Sequence, residues 1–131
     1  MQYTGAADVN GDNAATLSVT VDDGTVSLPF GTINLDIAAV NDDPTASGIP
    51  SDLAVTEDVA SDVDLSGVTF DDVDGDALTV TLNASAGTLN AASAGGVTVA
   101  GAGTGLLILS GSAADLNAYL DTLSAVQYTG L

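Results

Sequence analysis

No side chain of this chain can carry a positive charge. Lys, Arg and His are absent from its 131 residues, which hold 17 Asp and one Glu, Glu57, for a formal charge of −18. Ion pairing between side chains is therefore impossible. Each carboxylate has to be solvated, capped by backbone N–H groups, or matched by a bound cation. Two carboxylates about 5 Å apart repel by roughly 0.8 kcal/mol in bulk water and about 3 kcal/mol near a protein surface. A fold that clusters them carries that cost until a metal ion sits between them.

The same balance excludes partners. Nucleic acid and anionic membrane surfaces are bound through Lys or Arg, and there are none. Cysteine is absent too, which removes disulfide staples and zinc–thiolate sites. Calcium is the crosslink left to a small extracellular domain. Residues 77–114 carry no charge, yet their apolar side chains alternate with Thr, Ser, Asn and Gly, as in Leu78-Thr79-Val80-Thr81-Leu82. They never run for the ~18 residues that a membrane helix needs. The stretch reads as domain interior, not as a membrane insertion. No secretory leader follows Met1, so an export signal is expected outside this segment.

The chain also repeats. Gln2-Tyr3-Thr4-Gly5 recurs 125 residues later as Gln127-Tyr128-Thr129-Gly130, which reads as about one period of a tandem array. Between the copies, strand signals dominate. Thr16–Val21 alternates strictly, Asp22-Asp23-Gly24 turns, and Thr32–Val40 reads as a second strand. Asn41-Asp42-Asp43-Pro44 reads as a linker, because Pro ends a ladder. Further strands are expected at Leu53–Thr56, Val63–Phe70, Leu78–Leu82, Val97–Ala100 and Leu106–Leu109. One short helix is expected near 112–121, where Ser112 to Asp115 forms a capping pattern and Leu116, Tyr119, Leu120 and Leu123 follow at helical spacing. Ala125–Tyr128 is then a closing strand. About seven short strands at this spacing predict an all-β sandwich. The expected division is residues 1–40 as closing strands of one repeat, 41–44 as linker, and 45–131 as the opening part of the next.

Four acidic clusters could hold a metal. Asp71-Asp72-Val73-Asp74-Gly75-Asp76 is the densest. Asp8-Val9-Asn10-Gly11-Asp12 is a sparser version, Asp22-Asp23 occupies a turn, and Asn41-Asp42-Asp43 forms the linker. Calcium takes six to eight oxygens from carboxylates, Asn side chains and carbonyls, which such loops supply. Transition metals prefer His or Cys ligands that are not on offer. The EF-hand pattern fails: counting from Asp72, position 6 is Ala77 and position 12 is Asn83, and counting from Asp8 the twelfth residue is Val19. A single Asp-Gly turn is more simply a solvated turn. Four carboxylates in six residues without any cation favour calcium at Asp71, Asp72, Asp74 and Asp76. Asp8, Asn10, Asp12, Asp22 and Asp23 are weaker candidates.

Catalysis finds little to use. A nucleophile of Cys, Lys or His-activated Ser is unavailable. Two Phe, three Tyr and no Trp do not line a glycosidase cleft or a sugar-binding face. The chain is not expected to be an enzyme.

The pattern Val40-Asn41-Asp42-Asp43-Pro44, then Thr56-Glu57-Asp58, then Phe70 to Asp76 resembles the cadherin-like repeats of large bacterial RTX-type adhesins. Ser112–Gly130, followed across the repeat boundary by Gln2–Asp43, resembles the closing half of the same repeats. The resemblance implies an Ig- or cadherin-like Greek-key sandwich with calcium at the junction between successive modules. It implies Asn41, Asp42 and Asp43 as linker ligands, Glu57 as the acidic residue early in the following module, and Asp72 and Asp74 as the paired Asp of its next loop. The linker is shorter than the animal pattern, and only Asp8 could serve as the acidic motif that closes the preceding module. The expected function is a calcium-stabilised extracellular spacer, on the cell surface or secreted, in the stalk of an adhesin used in attachment or biofilm. Its partners would be neighbouring repeats or copies of itself. The alternatives are a structural subunit that polymerises into a filament or surface layer by exchanging strands, and a carbohydrate-binding module.

Overall fold

The computed structural model describes residues 1–131. The chain is mostly β, with ten strands, one helix and four small antiparallel sheets. No helix is long and apolar enough to cross a membrane. Two compact units form, Met1–Asn41 and Asp42–Leu131.

The first unit is built on one long hairpin, β1 (Gly11–Asp22) with β2 (Ser27–Ile37). The expected Thr16–Val21 strand lies inside β1. The second strand begins five residues before Thr32 and stops at Ile37, so residues 38–40 are not strand. Side chains on a strand alternate between faces, and pairs Leu17–Ile33, Ala15–Leu35 and Val21–Leu28 stand opposite one another. Leu17, Val19, Val21, Leu28, Ile33 and Leu35 thus share one face. The register slips between Val19 and Thr20, leaving Phe30 as the extra residue of a bulge on β2.

The second unit holds the core. Its strands are β3 (Thr45–Ser47), β4 (Ser61–Asp62), β5 (Thr69–Asp71), β6 (Leu78–Asn83), β7 (Thr88–Ala91), β8 (Thr98–Ala100), β9 (Leu106–Gly111) and β10 (Val126–Thr129). The helix α1 (Ala113–Leu120) precedes β10. Three sheets result: β3 with β5, β4-β10-β7, and β6-β9-β8. The charge-free stretch supplies Leu89, Val97, Leu107 and Leu109 to the core, α1 adds Leu116 and Leu120, and β10 adds Val126. Along β6, Leu78, Val80 and Leu82 turn inward while the intervening Thr79 and Thr81 face water. Ser112 caps α1: its hydroxyl accepts from the Asp115 N–H at 3.1 Å and donates to the Asp115 carboxylate at 2.8 Å.

One expected strand does not form and another is cut short. Leu53–Thr56 joins no sheet, and the Thr56 N–H donates to the Ser61 hydroxyl at 3.1 Å. Within Val63–Phe70 only Thr69 and Phe70 are strand, because the Asp64 carboxylate captures the Ser66 N–H at 3.0 Å and hydroxyl at 2.7 Å, and Val68 N–H turns back to the Leu65 carbonyl. A short polar side chain that bonds its own backbone competes with the ladder. Strands β3, β4 and β7 lie outside the expected set.

Candidate metal site

Construction of the site starts at α1. The Asn117 side chain accepts from the Phe70 N–H and donates to the Phe70 carbonyl, both at 2.8 Å. This double bond holds β5 against the helix. Strand β5 in turn pairs with β3, with Thr45 opposite Asp71. The residues just before β3 are thereby delivered to the loop that follows β5. There the Asp42 N–H donates to an oxygen of the Asp74 carboxylate at 2.5 Å. Within the loop, Gly75 takes a positive φ of 75° and its N–H meets the Asp72 carbonyl at 3.1 Å. The Asp76 N–H meets the Asp72 carboxylate, also at 3.1 Å. Only Gly adopts that left-handed turn without strain. The fold therefore brings the Asp42 backbone to the loop that carries Asp72, Asp74 and Asp76, at one end of the second unit, with all but the half-buried Asp72 exposed.

Glu57 is not among them. A Cβ on Gly130 would lie 3.8 Å from the Glu57 Cα, so Glu57 stands beside the end of β10. The Tyr128 hydroxyl donates to the Ala86 carbonyl at 3.0 Å, and a Cβ on Gly87 would fall 2.5 Å from the Thr129 carbonyl. That places the Ala86–Gly87 turn at the same end. Strand β6 leads from the acidic loop to this turn, and its six residues span about 20 Å. Glu57 and the Asp72–Asp76 loop therefore occupy opposite ends of one unit. No group of three carboxylates gathers closely enough to hold a metal by itself.

The weaker candidates have structural employment or stand alone. Asp22 accepts the Gly24 N–H at 2.6 Å, and Asp23 accepts those of Thr25 and Val26 at 2.9 and 3.0 Å, closing the β1–β2 turn. The Val26 and Thr25 N–H groups hold the Asp23 carboxyl below its ordinary pKa of 3.8. Asp8 takes a positive φ of 60° in an exposed turn with Asn10 and Asp12 nearby in sequence. The ligand chemistry on offer is hard oxygen throughout, which suits calcium over softer metals.

A second candidate is a groove of about 570 Å³ beside the C-terminal part of α1, where Tyr119, Asn90 and Gln127 contribute polar groups. The Tyr119 hydroxyl is already engaged with the Ala92 and Ala125 carbonyls, and burial raises its pKa. No charged side chain lines the groove, so it offers neither an acid nor a base. Comparison with known protein families, with curated proteins and with solved structures finds nothing that matches this chain.

Proposed function

We propose that the chain is a calcium-stabilised, cadherin-like sandwich repeat, acting as an extracellular spacer in the stalk of a bacterial surface adhesin. One observation carries the reading: the bond from Asp42 to Asp74 ties the acidic linker to the acidic loop at one end of the unit, while Glu57 waits at the other. In a head-to-tail array, Glu57 of one unit would face the linker of the next. Asn41, Asp42, Asp43, Asp72 and Asp74 would complete the oxygen shell with it. Calcium binding would then offset carboxylate repulsion at each junction and stiffen the array. No reaction is assigned.

Calorimetric titration of two copies joined head to tail, with calcium chloride, tests this. The expected result is saturable binding with Kd near 10⁻⁴–10⁻³ M, typical of extracellular calcium modules. The Asp74→Asn variant should bind several-fold more weakly. Absence of binding at 10 mM calcium would contradict the reading.

A further inference from the structure

The β1–β2 hairpin presents a face with no partner inside its own unit. Leu17, Val21, Leu28 and Ile33 on that face are 43–54% exposed, and Phe30 at the bulge is 68% exposed. Residues 13–21 and 24–35 carry no charge. On a chain of −18, such a surface is one of the few that can meet another copy without bringing carboxylates together. The second unit carries a matching deficiency. Leu53–Val55 pairs with no strand, and its Leu53 and Val55 are 38% and 46% exposed. A segment without a strand partner is open to strand addition.

The repeated Gln-Tyr-Thr-Gly says what should fill it. In the second unit Gln127-Tyr128-Thr129 forms β10, between β4 and β7. In the first, the same residues at 2–5 run directly into the hairpin. The sequence element that follows a β10 strand is thus a hairpin of this kind, rooted near the Gly130 end of the unit it completes. We propose that the hairpin of one copy docks by its apolar face on the Asp42–Leu131 unit of a second copy, along Leu53–Val55. The repeat argues for a second copy: the hairpin that follows a β10 in such an array belongs to the next copy, whereas this chain's own hairpin precedes its second unit. Donor and acceptor surfaces differ, so each copy can join two others, one through each surface.

This inference rests on the tandem-repeat part of the reading above but not on calcium, so the test is run in chelator. The full chain is followed by light scattering coupled to gel filtration from micromolar to millimolar concentration. The mass of the native chain should rise with concentration above 12.7 kDa. Ile33→Asp, on the donor face, and Val55→Asp, on the acceptor segment, should each stay at the mass of one copy. An equimolar mixture of the two should give a species of two copies, because each variant keeps the surface that the other lacks. That rescue also shows that both variants are folded. A native chain that stays at one copy throughout would overturn the proposal, whether the hairpin docks on its own chain or nowhere. So would a native chain that assembles while the mixture gives no two-copy species.

Discussion

Asn117 in the middle of α1 holds Phe70 by both backbone groups, donating to its carbonyl and accepting from its N–H at 2.8 Å each. The pair spans 47 residues of sequence and is part-buried. It substitutes for a ladder partner that β5 lacks on that side, and through β3 it determines where the acidic linker arrives.

Removing that amide should therefore have two consequences. Asn117→Ala leaves a part-buried N–H and carbonyl without partners, a loss of about 2–3 kcal/mol at ~1–1.5 kcal/mol per bond. Urea denaturation should show the midpoint fall with little change in slope. The variant should also bind calcium more weakly, because the Asp72–Asp76 loop follows directly on the strand that Asn117 secures. Native-like stability would mean that β5 is held by its pairing with β3 alone.

Acidification tests the local carboxylate turns. Ser66, first through its hydroxyl and then through its N–H, holds the Asp64 carboxyl below its ordinary pKa of 3.8. A folded pKa lower than the unfolded one contributes stability above about pH 4, and that contribution fades as pH falls through the folded value. Asp64→Asn should thus be less stable than the native chain by a constant amount from pH 5 to 7. The difference should close below pH 3.8. Urea midpoints of both proteins across pH 2.5–7 measure this. A deficit that persists unchanged at pH 2.5 would assign the loss to something other than the charged carboxylate.

Residues with a local reason for their structure were legible in the sequence. Ser112 to Asp115 marks the start of α1 through capping chemistry alone, and the Leu78–Leu82 alternation marks β6 because the core covers one of its faces. Leu53–Thr56 is as apolar but has no partner strand in its unit, and a strand exists only as half of a pair. Strand β7 was illegible for the opposite reason: Thr88-Leu89-Asn90-Ala91 has little β propensity, yet it lies between β10 and the Thr104 bridge, where pairing overrides propensity. At the site, Asp71–Asp76 stood out by density, and the meeting of Asp42 with Asp74 depends on β3–β5 pairing that Pro44 concealed. The separation of Glu57 from that loop depends on the length and direction of β6, which no local spacing encodes.

Thermal melting of two copies joined head to tail, with and without calcium, decides whether calcium holds the junction. At 10 mM calcium chloride, about 10 to 100 times a Kd of 10⁻⁴–10⁻³ M, one site stabilises the fold by about 1.4–2.7 kcal/mol, a rise in Tm of roughly five to ten degrees for a domain of this size. Sodium chloride at matched ionic strength should give much less. Asp74→Asn, which keeps an oxygen for the Asp42 N–H but loses the charge, should lose most of the calcium effect. Asp36→Asn, where the carboxylate accepts the Asn13 N–H within the hairpin, should keep it. Equal shifts with calcium and sodium, or an undiminished calcium shift in Asp74→Asn, would contradict the account.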